Sequence, residues 1–337
     1  MIQVDDVTKT FGPVVAVDHI SFQVAQGEIV GFLGPNGAGK TTTLRILTSY
    51  LPATSGIARV AGFDVMTQSM EVRRHIGYLP ESVPLYPDMR VEEYLAYRAR
   101  LKEVDRKERQ MRVDHCLDRC RIREVRRRLI GTLSRGYRQR VGLADAMVHD
   151  PAILIMDEPT AGLDPIQIRE TLALIRELGR QHTILLSTHI LPEVEAVCER
   201  VIIINAGRIG LSKKLSDLAT AAATIIVEVR GPAEQVGNVL RTLDGVDRVS
   251  SQALEDGLTS YEIHTQRNQD LRETISQRLA KNGWPIRRLD LRRPKLEDLF
   301  VDVVVRPEGP FKASATGGST ATADPLQRQA VMAGQDR

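Results

Sequence analysis

The residues best suited to chemistry are Gly34-Pro35-Asn36-Gly37-Ala38-Gly39-Lys40-Thr41. They fit G-x-x-x-x-G-K-[ST], a phosphate-binding loop in which glycines let successive backbone N–H groups converge on one anion. Lys40 adds a mobile positive charge for the β and γ phosphates, and the Thr41 hydroxyl offers a ligand for Mg²⁺. The pattern implies a nucleoside triphosphate, held by Gly34 to Thr41 together with Thr42 just behind them.

A second chemical pair lies far along the chain. Ile153-Leu154-Ile155-Met156-Asp157-Glu158 is an apolar run that ends in two acids. A buried strand would deliver both carboxylates at its C-terminal end, where ligands sit in open α/β sheets. Asp157 is placed to hold Mg²⁺ through water, and Glu158 to polarise a water for in-line attack on the γ phosphate. The plainer alternative, two acids capping a turn, loses ground once the phosphate loop is granted.

These residues need elements to position them. Ile29-Val30-Gly31-Phe32-Leu33 reads as a buried strand before the glycine loop, and Thr42-Thr43-Leu44-Arg45-Ile46-Leu47 as a helix after it. Residues 1 to about 218 alternate strand-like and helix-like segments, as an α/β domain does. Strands are expected at Ile2–Val7, Ile20–Val24, Glu28–Leu33, Gly56–Val60, Ile76–Leu79, Ala152–Met156, Thr183–Ser187 and Arg200–Asn205, with a hairpin turn at Ala206-Gly207. Between Val91 and about residue 130 the pattern becomes helical alone. Residues 219–305 read as a second unit with the order β-α-β-β-α-β of a ferredoxin-like fold, followed by a short helix. Gly, Ala, Ser, Thr and Pro dominate 306–337, which are expected to be disordered.

Composition sets the bounds. With 42% hydrophobic and 26% charged residues the chain is ordinary for a globular protein. No apolar run is long enough to cross a membrane, and the N-terminus lacks signal-peptide character. A formal net charge of +3 gives no reason to expect nucleic acid as a partner. Cys116, Cys120 and Cys198 suit a reducing compartment. A metal site at His115, Cys116 and Cys120 is conceivable, but no second ligand pair accompanies them, so buried thiols are favoured. The arginines between Arg119 and Arg128 are expected on a solvated helix face, with a partner or anionic lipid as the lesser reading.

Leu133-Ser134-Arg135-Gly136-Tyr137-Arg138-Gln139-Arg140, taken with the phosphate loop and the Asp157-Glu158 pair, resembles the signature of ABC ATPases. Ser134, Gly136, Gln139 and Arg140 match the family pattern; Arg135 and Tyr137 depart from its Gly and Gln. Ala161-Gly162-Leu163-Asp164-Pro165 resembles the D-loop, and Ser187-Thr188-His189 the switch histidine. Phe11 stands where the family stacks an aromatic on adenine. The resemblance implies an α/β P-loop NTPase fold of the ABC ATPase type, with an antiparallel β subdomain and a helical insert at about 91–130. It also implies that two nucleotide-binding domains meet head to tail, most simply as a homodimer. Ser134 and Gly136 of one copy would then close on ATP held by the other, Asp164 would link the two sites, and His189 would hold the γ phosphate and water.

Glu81 stands where the family has a Q-loop glutamine, so a charge replaces a neutral carbonyl as a ligand to Mg²⁺ and water. Glu81-Ser82-Val83-Pro84-Leu85-Tyr86 resembles an ABC-2-type exporter branch that includes gliding-motility and copper-site-maturation ATPases. That resemblance implies a peripheral subunit on the cytoplasmic face of the inner membrane, driving a separate polytopic ABC-2-type permease. The helical insert is where family members dock the permease. A soluble ABC ATPase, or a nucleotide-dependent scaffold with negligible turnover, are the alternatives. Substrate identity is not written in this chain. Glu81→Gln is expected to leave substantial ATPase activity in a phosphate-release assay; complete loss would show that the carboxylate itself is required.

Overall fold

The computed structural model describes residues 1–219, 223–266, 269–293 and 295–305. The chain opens with β1 (Ile2–Phe11) and β2 (Val14–Val24), and β3 (Ile29–Leu33) then leads into α1 (Lys40–Leu47). β4 (Ser55–Val60) and β5 (Phe63–Asp64) return beside β1, giving an antiparallel sheet ordered β2-β1-β4-β5. After α2 (Ser69–His75) and β6 (Ile76–Leu79) come the helices α3 (Val91–Leu101), α4 (Arg109–Arg119) and α5 (Arg135–Met147). β7 (Ile153–Asp157), α6 (Pro165–Leu178), β8 (Thr183–Thr188) and α7 (Leu191–Val197) follow, then the hairpin β9 (Arg200–Asn205) and β10 (Arg208–Lys214), and α8 (Leu215–Ala219).

The second sheet runs β10-β9-β3-β8-β7-β6 and is parallel from β9 to β6. Every residue of β3, β7 and β8 is buried. Such unbroken apolar runs are what a parallel strand covered on both faces requires. The core divides accordingly. Phe32, Ile155 and Leu185 face the antiparallel sheet side with Ile2 and Leu44, while Leu33, Leu154 and Leu186 face the helices with Val141 and Leu174.

Two sequence expectations changed. β2 starts at Val14 rather than Ile20, because its pairing with β1 is broken by register shifts. Asp6 and His19 take left-handed conformations there, which interrupts the period-two pattern that a strand shows in sequence. The arginine run is also not one helix face. α4 ends at Arg119, Arg121 has φ 55°, and Arg121, Arg123 and Arg126 each pair with a nearby acid. Cys116, Cys120 and Cys198 are buried thiols. Burial pushes Cys116 up to about 12.

The C-terminal unit is β11 (Thr224–Arg230), α9 (Ala233–Arg241), β12 (Val246–Ala253), β13 (Leu258–Thr265), α10 (Arg272–Lys281) and β14 (Ile286–Arg292). Its antiparallel sheet is ordered β12-β13-β11-β14, the ferredoxin-like arrangement. Val227, Val236, Leu240, Tyr261, Ile275 and Leu279 form its own core. α11 (Leu296–Val304) returns to the first unit, where Leu296 and Leu299 join the helical side of its core. The Asn205 side-chain amide donates to the carbonyls of Val303 at 3.3 Å and Val304 at 3.4 Å, capping that helix. The expected disordered tail, 306–337, lies outside the described residues.

Between α3 and α5, Asp145 pairs with Arg98 at 2.8 Å and Lys102 at 3.2 Å. His149 beside them donates from Nε2 to the Ile76 carbonyl at 3.0 Å, and its Nδ1 is buried without a partner. Charging the ring would bury an N–H with no acceptor, so burial, aided by Lys102, pushes its pKa down to about 4. The unfolded chain therefore binds a proton that the folded chain refuses between pH 6.5 and 4. Stability from this group is complete above the ordinary histidine pKa and falls as pH drops through that window, by about 2 kcal/mol from pH 7 to pH 5. Urea-unfolding curves of His149→Gln, followed by far-UV circular dichroism, should show that much less acid sensitivity than wild type; matching slopes would refute the assignment.

Candidate active site

Gly34 leaves β3 where no side chain fits, since a Cβ there would lie 2.3 Å from the Ile204 carbonyl oxygen. Gly39 caps α1 with φ 104°, a conformation open to glycine, and presses on the Ala16 carbonyl. The loop between them wraps the N-terminus of α1, whose first N–H groups lack helical partners and point at any anion placed there. Lys40 is buried at the start of that helix. Its ammonium donates to the carbonyls of Gly34 at 2.8 Å and Pro35 at 3.2 Å, and lies 3.3 Å from Glu158 Oε1.

β7 supplies the acids. Successive residues of an extended strand point to opposite faces. The chain avoids this at Glu158, whose φ of 47° turns the backbone sharply as the strand ends. That left-handed turn costs on the order of 1–2 kcal/mol. It is held because the Glu158 N–H donates to the Ser187 carbonyl at 3.1 Å and to the Ser187 hydroxyl at 3.1 Å. Both carboxylates consequently reach the phosphate loop. Asp157, 1% exposed, accepts from Thr41 Oγ1 at 3.2 Å and from the Ser187 hydroxyl at 2.5 Å. Glu158 Oε2 lies 3.0 Å from His189 Nδ1.

The groups surround a cavity of about 330 Å³, lined by Ala16, Asn36, Gly37, Gly39 to Thr42, Glu81, Glu158, Ala161 and His189. A buried cation, free helix N–H groups and a hydroxyl beside a buried carboxylate fit a polyphosphate with a hard divalent cation. Thr41 and Asp157 would hold Mg²⁺, with Glu81 at the cavity edge, and the ion would supply charge neutralisation and Lewis acidity when bound.

Other expected site residues stand elsewhere. Ser134 is the N-cap of α5, accepting from the Tyr137 N–H at 3.4 Å, and is exposed. Gly136 packs so closely on Gln167 that a Cβ would lie 2.7 Å from its amide oxygen. Asp164 caps α6, accepting from the N–H groups of Ile166 and Gln167 at 2.9 Å each. None of the three lines the cavity of its own chain. Phe11 is 47% exposed at the end of β1, with Lys9 Nζ 5.1 Å from its ring centroid, and does not line the cavity either. Sequence patterns name Ser187 only within the His189 motif and give no sign that it joins the two acids, or that Ala16 of β2 lines the cavity. Ser187 stands two residues before His189, but only strand register puts it opposite Asp157.

The family model described as ABC transporter matches residues 17–161. An uncharacterised ABC transporter ATP-binding protein of Bacillus subtilis, YhaQ, is 32% identical over 90% of this chain and 98% of its own length. The bacitracin transport ATP-binding protein BcrA of Bacillus licheniformis is 32% identical over 90% of this chain and 97% of its own. Among solved structures, the dimeric bacterial ABC transporter cassette MJ0796 superposes with a TM-score of 0.59 and 26% identity, covering 64% of this chain and 99% of that one.

Removing the Ser187 hydroxyl takes one charge-assisted hydrogen bond from Asp157 and one acceptor from the Glu158 turn. Such bonds contribute about 1.5–3 kcal/mol, so Ser187→Ala should lower kcat by roughly tenfold or more while nucleotide still binds. Phosphate-release kinetics set beside nucleotide titrations would check this; an unchanged kcat would sink it.

Proposed function

Since this chain belongs to the family of ABC transporter ATP-binding proteins, we propose that it is the ATP-hydrolysing subunit of a separate ABC-2-type membrane permease, working as an exporter. The observation that carries the coupling is the segment Pro80–Pro84. Glu81 lines the nucleotide cavity, whereas Pro80, Ser82, Val83 and Pro84 line a groove of about 840 Å³ on the other side. One short stretch of backbone thus forms a wall of both sites, so a shift of that stretch would be felt by both.

The groove runs between the sheet core and the helices α3 and α5, with Arg45, Arg73, Tyr78, Arg98, Leu101 and Asp145 along it. Tyr50 is 74% exposed and Met70 56% exposed at its mouth, which suits an amphipathic cytoplasmic segment of a permease. Among the described residues no helix is long and apolar enough to cross a membrane.

In hydrolysis, ATP would exchange the Lys40 contacts with loop carbonyls and Glu158 for contacts with phosphate oxygens. Glu158, freed from Lys40, would accept the proton of the attacking water at a carboxylate oxygen. His189 would hold the far side of the γ phosphate. Ser134, Gly136 and Asp164, which lie away from their own chain's cavity, would complete the site of a second copy in a head-to-tail homodimer; the dimeric cassette above supports that reading. A transport role draws support from the named bacitracin transport relative.

A tagged Glu158→Gln chain, purified from membranes in ATP beside wild type, tests the whole reading. A polytopic partner in stoichiometric amount is expected, with stronger recovery from the slow variant. Recovery of soluble partners alone would remove the permease from the account and favour a soluble ABC ATPase.

A further inference from the structure

Glu193, on α7, is 2% exposed, yet among the described residues it makes no ion pair. Its two oxygens are taken by threonines from different elements, Thr160 in the turn after β7 and Thr188 at the end of β8. Thr160 donates to Oε1 at 2.6 Å and Thr188 donates to Oε2 at 2.7 Å. The Thr188 hydroxyl oxygen in turn accepts from the Ile190 N–H at 3.1 Å, so the loop that carries His189 is bonded on both sides of that residue. Thr160 lies two residues after Glu158, and the Ala161 N–H folds back onto the Glu158 carbonyl at 3.0 Å.

A buried carboxylate costs several kcal/mol unless its lone pairs are met, and two short hydroxyl bonds meet one on each oxygen. Stability alone does not require this arrangement, since replacing both partners of a buried hydrogen bond by apolar groups of the same shape can be nearly neutral. What apolar groups would lack is direction: each hydroxyl must stay on its own carboxylate oxygen, so the two loops keep one separation. We propose that Glu193 is a positioning residue for hydrolysis, tying the loop that bears Glu158 to the loop that bears His189 and fixing their 3.0 Å contact. The proposal rests on the hydrolytic reading above for its kinetic consequence, but the tie itself is a property of the fold.

The test uses the full-length chain. Glu193→Gln keeps the shape but replaces one acceptor oxygen with an amide donor, so one threonine hydroxyl loses its acceptor. The expected result is a kcat lower by about tenfold with the KM for ATP within about twofold. Hydrogen exchange in peptides covering residues 158–164 and 186–192 should quicken together, with β3 and β9 unchanged. Thr160→Ser and Thr188→Ser should retain wild-type kcat, whereas Thr160→Val and Thr188→Val should each match the Glu193 variant; these four read the tie if Glu193→Gln fails to fold. Unchanged kcat and exchange in the Gln and Val variants, or losses spread over the whole sheet, would overturn the proposal. A wild-type chain that binds ATP without turning it over would overturn the hydrolytic reading alone, and coupled exchange in the two loops would still decide the tie.

Discussion

Lys40 and Glu158 meet in a pocket that leaves each side chain at most 10% exposed, and much of the structure follows from keeping that pair hydrated by protein rather than water. An ammonium and a carboxylate taken out of solvent lose several kcal/mol each unless other bonds satisfy them. The ammonium finds two loop carbonyls, and the carboxylate finds His189. Those partners come from the loop after β3, the turn after β7 and the end of β8. Three neighbouring parallel strands must therefore end at one level, and their fully buried register enforces it. The pair is also a store of readiness: every contact of Lys40 is one that a phosphate oxygen can replace.

Backbone conformation makes the same demand from below. A glutamate with positive φ is strained, and the strain is offset because Ser187 takes the buried N–H twice over. The result is two adjacent carboxylates that serve one site from a strand which would otherwise separate them. Across the sheet, Pro80–Pro84 carries the boundary between the cavity and the groove beside α3. On its far side α11 comes back from the C-terminal unit to pack near α7, the helix that holds Glu193 beneath the end of β8. The edge of the sheet that carries the cavity is thus enclosed by elements from widely separated parts of the chain.

Much of this was legible before any coordinates. The phosphate loop, the Asp157-Glu158 pair and the signature segment are local patterns, because each needs particular residue types on consecutive positions of one strand, turn or helix start. The ferredoxin-like order of the C-terminal unit was readable for the same reason, its strands and helices alternating with clear periodicity. β2 was cut short because bulges at Asp6 and His19 erase the alternation that marks a strand. The arginine run passed for a helix face because nothing in its composition announces the turn at Arg121.

The sequence by itself determined that Gly34 to Thr41 would form a glycine loop running into a helix start and that Asp157 and Glu158 would end a buried strand, since both depend on short-range geometry. Only the tertiary structure decided which side chains join those parts. Ser187 reaches Asp157 through strand register, Glu193 reaches Thr160 through the packing of α7 under the turn after β7, and Asp145 meets Arg98 and Lys102 only because α3 lies on α5. It decided as well that Ser134, Gly136 and Asp164 leave their own cavity, though their motifs sit beside the acids in sequence. Contacts between segments dozens of residues apart follow from how a core closes, and no local pattern of residue types records that closure.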